Sequence, residues 1–324
     1  MNHQKKSLQT LLDKNLISET EFSQINAYRK LGIFSLHKEL RGLLYLSVTL
    51  FTSGIGILIY QNIDTIGHQV LLGLLFLTIV VCYYFCFKNA PKFAKYQTEF
   101  KNSLFDYVLL LATILTCTFV GYLQFQYKTF GTQHGLATLI PTIIAFACAY
   151  YFDNKSILSI AITGLAAYIG LTVNPKALLE SETFNTNSLG FSAIVLATAM
   201  IVWAIYCEKF DLKKHFGIVF NTFALHLISI ACLTNMAAEN YWFVYALVLG
   251  VSTYYFIKIS HQSQSVALYI FSILYCYIGL NIVLARLLDA INFEHFMDGL
   301  FFLIPIYFVF SIVGFIKLLK NFKK

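Results

Sequence analysis

The chain has 324 residues, of which 58% are hydrophobic and only 12% are charged. Soluble globular proteins carry about 25% charged residues, so this composition excludes an ordinary soluble protein and predicts an integral membrane protein. The formal net charge of +7 is explained by the excess of Lys and Arg on one side of the membrane, and it requires no nucleic-acid partner.

Residues 1–41 are the one clearly water-soluble part of the sequence. Apolar residues at helical spacing precede a turn, and Ser18 and Glu21 have the spacing of a capping box at the start of a second helix. Gly32 is a typical residue at a helix end. The pattern predicts a short cytoplasmic N-terminal helical hairpin, whose apolar side packs on the membrane domain or binds a protein partner.

Residues 42–318 consist of long apolar stretches separated by short polar loops. About 20 apolar residues in a helix span a hydrocarbon core roughly 30 Å thick, and lipid requires backbone polar groups to be satisfied within the segment. The predicted fold class is therefore an all-α, polytopic transmembrane helical bundle of about ten spans, followed by a basic cytoplasmic tail at 319–324. The spans are predicted at 42–60, 67–87, 105–127, 135–151, 156–173, 188–207, 215–235, 240–258, 264–288 and 298–318.

With ten spans, all but three of the 23 Lys and Arg residues fall on the side that holds both termini. The exceptions are Lys128, Lys176 and Arg286. Because cytoplasmic loops carry the excess of Lys and Arg, both termini are predicted to be cytoplasmic. The same excess predicts attraction to anionic lipids at the cytoplasmic face.

The fourth and fifth predicted spans are joined by only four polar or aromatic residues, 152–155. Ala145 and Ala149 lie four residues apart on the first of them, as do Ala166 and Gly170 on the second. In lipid, helices associate by close packing through small residues. The two spans are therefore predicted to form a tight antiparallel hairpin.

His226 lies near the middle of the seventh predicted span. Ionisable residues inside a membrane are costly and often functional, so His226 is a candidate proton relay or ligand contact. A structural hypothesis is equally open, in which the imidazole forms a hydrogen bond to a neighbouring helix.

Four further polar residues fall in the outer halves of the third and ninth spans. If those spans are neighbours, these residues build a polar pocket that opens outward, with loop aspartates available to pair Arg286. The alternative is that Arg286 extends to the outer interface. With His226, the predicted ligand-binding residues are Gln124, Gln126, His226, Asn281 and Arg286.

The sequence contains no zinc-binding HExxH helix, no GxSxG elbow and no glycine-rich phosphate loop. No catalytic residue is predicted, and the chain is not expected to be an enzyme. Cys82 and Cys86 are one helical turn apart, but cysteine is also a small apolar filler in helices. Neither a metal site nor a cofactor is predicted.

The order of these parts resembles a family of bacterial membrane proteins known as domain of unknown function 2157. The N-terminal segment LLDKNLISETEF, closely spaced spans and the junction Gly121 to Tyr127 carry the resemblance, over roughly residues 1–170. It implies a multi-pass protein of the bacterial cytoplasmic (inner) membrane and no catalytic residues.

Two hypotheses for function follow. Many spans with little soluble mass favour a small-solute transporter or channel, which predicts that Gln124, His226, Asn281 and Arg286 converge on one cavity near the midplane or the outer leaflet. A non-catalytic membrane scaffold or assembly component is the alternative, and it expects those residues to be dispersed.

Overall fold

The structure is a computed structural model, and its regular structure is helical throughout the part of the chain that it describes. It describes residues 18–30, 67–90, 93–98, 103–131, 133–173, 187–239, 241–290 and 311–317, and the separate positions 43, 47, 50, 53–54, 57, 307 and 309. The helices of the described residues are α1 (Glu19–Lys30), α2 (His68–Asn89), α3 (Ser103–Tyr127), α4 (His134–Phe152), α5 (Lys155–Val173), α6 (Asn187–Lys209), α7 (Gly217–Ala238), α8 (Trp242–Ser263) and α9 (Val266–Ala290), and a 3-10 turn, Lys214–Phe216, precedes α7.

Within the described residues, the eight helices α2 to α9 are each long and apolar enough to cross a membrane. Each coincides with one predicted span, from 67–87 to 264–288, so the all-α, multi-span architecture is confirmed. The predicted spans 42–60 and 298–318 lie largely outside the described residues, although the positions described within them are helical. The count of ten spans therefore stays a prediction.

The chain divides into two compact units, Met1–Leu71 and Leu72–Lys324. In the first unit, α1 begins with the predicted capping box. The amide of Ser18 donates to Glu21 Oε2 at 2.9 Å, and the amide of Glu21 donates to Ser18 Oγ at 3.3 Å. The Ser18 hydroxyl also donates to Glu21 Oε2 at 2.9 Å, and the two hydrogen bonds from the Ser18 amide and hydroxyl lower the pKa of the Glu21 carboxyl. The first helix of the predicted hairpin lies outside the described residues, so the hairpin itself stays a prediction.

The second unit is a bundle in which, from α3 to α9, helices adjacent in sequence pack against each other, and α7 is its centre. This helix packs against α6, α8 and α9, and also touches α5. Half of the residues in the span that contains α7 are buried, which is a larger share than in any of the other seven candidate membrane spans. A helix without a charged side chain between Gly217 and Ala238 can be buried on several faces without leaving an ion unpaired.

Helices α4 and α5 form the tight hairpin that the small residues predict, but the close approach lies at a different glycine. Ala145 and Ala149 are fully buried, as expected. A Cβ added at Gly164 would clash with the hydroxyl of Thr142, whereas a Cβ at Gly170 would meet nothing within 4 Å. Gly170 as a packing position is therefore wrong, because it lies on a different side of α5 from Gly164, whereas Tyr168 and Thr172 on either side of it still come close to Gly135 of α4.

The α4–α5 turn is built by Asp153 and Asn154. Asp153 has a left-handed backbone with φ of 56°, a conformation that Asp tolerates better than most residues. The Asn154 side-chain oxygen accepts hydrogen bonds from the amides of Ser156 and Ile157 at 2.9 and 3.0 Å. Asn154 thereby caps the start of α5.

Candidate functional site

His226 forms the helix-to-helix hydrogen bond that the structural hypothesis expects. Its Nδ1 lies 2.8 Å from the hydroxyl oxygen of Tyr275 on α9. The ring also packs edge-to-face on Phe271, with 4.9 Å between ring centroids. The imidazole is thus held in one orientation by two residues of the same neighbouring helix.

His226 also lines a cavity, which we call the His226 cavity. Its volume is about 460 Å³, and it lies between α5, α6 and α7. Most of its wall is aliphatic or aromatic, and hydrogen-bonding groups come from Thr163, His226, Thr234 and Asn235. Ligand sites in proteins have this character, an apolar wall with a few placed polar groups. The described lining residues are Thr163, Ala166, Leu189, Gly190, Ala193, Phe223, His226, Leu227, Ile230, Ala231, Thr234 and Asn235.

Gln124 has a different role, because its side chain organises the α3–α4 loop. Its Nε2 donates to the carbonyl of Gly131 at 2.9 Å, and its Oε1 accepts from the amide of Phe130 at 2.8 Å. Both polar atoms of the buried amide are therefore used by the loop backbone. The neighbouring predicted residue, Gln126, is exposed.

Arg286 caps the C-terminal end of α7. Its guanidinium donates to the carbonyl of Met236 at 3.2 Å and to the carbonyl of Ala237. These carbonyls have no partner within the helix and carry the negative end of its dipole, so a cation is favoured there. Arg286 thus fixes α9 to the end of α7, which neither of the two sequence-based interpretations anticipated.

Asn281 lies on α9, five residues before Arg286. Its Nδ2 donates to the carbonyl of Tyr277 in the same helix, and its Oδ1 accepts from the hydroxyl of Tyr307 at 3.1 Å. Of the five predicted residues, only His226 is among the described residues that line the His226 cavity. The structure therefore brings Gln124, His226, Asn281 and Arg286 to four separate sets of partners.

A buried ionic cluster, which the sequence analysis did not predict, lies at the end of the bundle where α4 ends. We call it the Asp153 junction, and it consists of Thr98, Asp153, Lys213 and His215. Asp153 Oδ1 is 3.2 Å from Lys213 Nζ and accepts from His215 Nε2 at 2.6 Å. Asp153 Oδ2 accepts from the amide and the hydroxyl of Thr98 at 2.6 and 3.1 Å.

The Asp153 junction is both buried and paired. The side chains of Asp153 and Lys213 are each 1% exposed. Burial raises the pKa of Asp153, but the Thr98 amide, the Lys213 hydrogen bond and the charges of His215 and Lys213 more than offset it, so the pKa lies below its usual value. The carboxylate is therefore ionised at neutral pH. It joins the α2–α3, α4–α5 and α6–α7 loops.

Two further contacts hold Lys213 in place. Its amide donates to the carbonyl of Lys95 at 2.8 Å, and its ammonium lies 5.5 Å from the centre of the Phe93 ring. A polar cavity of about 380 Å³ adjoins the junction, where Asn154 Nδ2 donates to Asp106 Oδ1 at 2.9 Å. The only sequence signal for this cluster was the presence of charged residues in short loops, and that signal does not say which residues pair.

The described residues contain no group of three or more His, Cys, Asp or Glu side chains arranged to hold a metal ion. The seven cysteines are free, and four of them are buried: Cys86, Cys148, Cys207 and Cys232.

The first part of the chain matches a protein family. Residues 9–158 match the family described as "Predicted membrane protein (DUF2157)", which confirms the resemblance over those residues. Comparison with curated proteins and with solved structures gives no match.

Proposed function

We propose, for this multi-span membrane protein, that it transports a small and largely apolar solute, and that the His226 cavity is the binding site. The observation that supports the proposal is the cavity itself, about 460 Å³ between three spans with His226 in its wall. A solute with a hydrocarbon body and one or two hydrogen-bonding groups matches this lining. Of the five predicted ligand-binding residues, His226 is the one that we retain as a solute contact.

The position of α7 suggests how solute binding could be coupled to movement. This central helix contributes most of the cavity wall, and its middle and its C-terminal end are tied to α9 through His226–Tyr275 and Arg286. A shift of α7 against α9 would therefore change the cavity and the His226 hydrogen bond together. Under this proposal Arg286 and Asn281 position α9 and do not contact the solute.

The experiment is a binding screen followed by a flux assay. The purified protein is unfolded thermally with a panel of uncharged solutes that carry one hydroxyl or amide group on a hydrocarbon body. A solute at 100 times its Kd stabilises a protein by about 2.7 kcal/mol, which is a shift of several degrees. Solutes that bind are then tested for entry into liposomes that contain the protein.

A matched pair of variants decides whether binding uses this cavity. Ala193→Phe fills the His226 cavity from α6, whereas Leu247→Phe changes a residue on α8 that is 68% exposed. We expect Ala193→Phe to abolish both stabilisation and flux and Leu247→Phe to retain them. Equal binding to both variants, or the absence of any stabilising solute, would reject the site.

A membrane scaffold is the second candidate, because Gln124, Asn281 and Arg286 all form hydrogen bonds within the bundle, as the scaffold hypothesis expects. The scaffold hypothesis predicts that partner proteins bind to residues 1–41 and to the outer faces of the helices. Deletion of residues 1–41 would then change the size of the complex on native gels of solubilised membranes, while Ala193→Phe would not.

A further inference from the structure

A third cavity, which we call the basic cavity, lies at the same end of the bundle as the Asp153 junction. It has a volume of about 300 Å³ and lies between the first residues of α5 and α7 and the last turns of α6 and α8. It shares Lys155 and His215 with the polar cavity beside Asp153, but its walls are mostly apolar. Its chemistry is therefore different from that of both cavities described above.

The outer part of the basic cavity is cationic. Lys155 and Lys214 contribute ammonium groups to its lining, the lining His215 is bonded to Asp153, and Glu208 is the one acidic residue among the described residues that line it. Glu208 lies 3.6 Å from Lys214, and both side chains are more than 60% exposed. Exposed pairs of this kind are weak, so Lys214 is available to a stronger anionic partner.

The inner part of the basic cavity is apolar. Ile205 and Ile259 lie about one turn inward from the ends of α6 and α8, and Ile218 is the second residue of α7. Ile205 is 50% exposed, so this wall is open toward the hydrocarbon region. Cationic side chains lie at the end of the bundle, and isoleucines lie deeper along the spans. This arrangement matches the charged headgroup and the apolar acyl chains of a phospholipid.

We propose that the basic cavity binds an anionic phospholipid of the adjacent leaflet, with the phosphate at Lys155 and Lys214 and an acyl chain along Ile205 and Ile259. Membrane lipid is preferred to free phosphate because the apolar wall would serve no purpose for an inorganic ion. The bound lipid bridges four helices, α5 to α8, and so stabilises the bundle. This inference does not depend on transport through the His226 cavity.

The test measures lipid binding to the purified full-length protein by native mass spectrometry and by thermal unfolding. The probes are phosphatidylglycerol, phosphatidylcholine with the same acyl chains, and inorganic phosphate. We expect phosphatidylglycerol to bind and raise the Tm, and the other two to have little effect at equal concentration. Stabilisation by phosphatidylcholine to the same degree, or by phosphate alone, would overturn the proposal.

Variants locate the binding site. Each Lys near an anionic membrane surface strengthens attraction by about fivefold, so Lys155→Gln and Lys214→Gln should each weaken phosphatidylglycerol binding by about that factor. Lys209→Gln makes the same charge change at an exposed position outside the cavity lining and serves as the control.

Glu208→Gln should change the affinity for phosphatidylglycerol in the opposite direction to the Lys variants, because it removes the carboxylate that competes for Lys214. We expect tighter phosphatidylglycerol binding in this variant, whereas a merely structural role of the ion pair predicts no gain. If Lys155→Gln and Lys214→Gln bind as the Lys209→Gln control does, the lipid lies elsewhere and the proposal fails.

Discussion

At the scale of single residues, Asp153 has the most demanding environment in the described part of the chain. Its carboxylate is 1% exposed and receives hydrogen bonds from Thr98 and His215 as well as the charge of Lys213. A buried ion pair contributes little net stability against an apolar replacement, but removing one partner leaves the other charge uncompensated. The junction therefore serves to fix three loops in one arrangement.

Asp153→Asn should be strongly destabilising for this reason. It leaves the buried ammonium of Lys213 without its counter-charge, and the cost of breaking such a pair is about 3–5 kcal/mol. Glu208→Gln is the matched control, since it breaks the exposed pair with Lys214 and should cost less than about 1 kcal/mol. Thermal unfolding in detergent without added lipid compares the two, and losses of equal size would contradict a buried junction.

The lowered pKa of Asp153 also fixes the sign of a pH dependence. Because the folded pKa lies below the unfolded value of about 3.9, the stabilisation is fully present above that value. It is lost as the pH falls through the folded pKa, when the native carboxylate becomes protonated. The wild-type Tm should fall over this acid range, and Asp153→Asn should flatten the fall. If Tm depends on pH equally in the wild type and in Asp153→Asn, other titratable groups cause the fall.

The hydrogen bond between His226 and Tyr275 can be measured by a double-mutant cycle. Such bonds between membrane helices contribute about 0.6 kcal/mol on average and at most about 1.7 kcal/mol. We expect His226→Leu and Tyr275→Phe to show a coupling energy in this range. Tyr254→Phe, on a tyrosine that is 74% exposed, should show none with His226→Leu. Additive losses for His226 and Tyr275 would mean that the bond does not stabilise the bundle.

At the scale of helices, the sequence predicts the features that a local pattern determines, such as span positions and helix caps. It does not predict contacts between residues that are far apart in the chain. Span positions follow from apolar length, and the capping box at Ser18 follows from a spacing of three residues. His215 and Asp153 are 62 residues apart, and nothing in either loop indicates the other. Neither interpretation of Arg286, the polar pocket or the outer interface, identified its partners, because these are backbone carbonyls of α7, which no residue type in the sequence marks.

The packing of α4 on α5 shows the limit of a spacing rule. Small residues four apart occur on both helices, but the spacing does not give the side of each helix that touches its neighbour. Gly164→Ala should be destabilising by about 1–3 kcal/mol, because the added methyl meets Thr142. Gly170→Ala on the same helix should be neutral or stabilising, since it meets no neighbour and Ala favours helix. Equal Tm values for the two variants would contradict the close approach at Gly164.

At the scale of the whole molecule, the Asp153 junction fixes the relative topology of the spans. It joins the α2–α3, α4–α5 and α6–α7 loops, so these three loops lie at one end of the bundle. Two spans therefore separate each loop from the next, which supports the alternation on which the Lys and Arg count was based. The loop that holds Lys128 belongs to the opposite end, because one span, α3, separates it from the loop at 93–98.

The positive-inside rule predicts that the junction end is cytoplasmic, and cysteine labelling tests this orientation. Lys95→Cys and Lys209→Cys introduce exposed thiols at the junction end, and Lys128→Cys introduces one at the other. Lys213, although it lies in the same loop region, is an unsuitable position because its side chain is buried. The wild-type chain gives the background, since its seven cysteines lie within helices and four are buried. In intact cells a membrane-impermeant maleimide should label only Lys128→Cys, and permeabilisation should add the other two. Labelling of Lys95→Cys before permeabilisation would reverse the orientation and move the proposed lipid site to the outer leaflet.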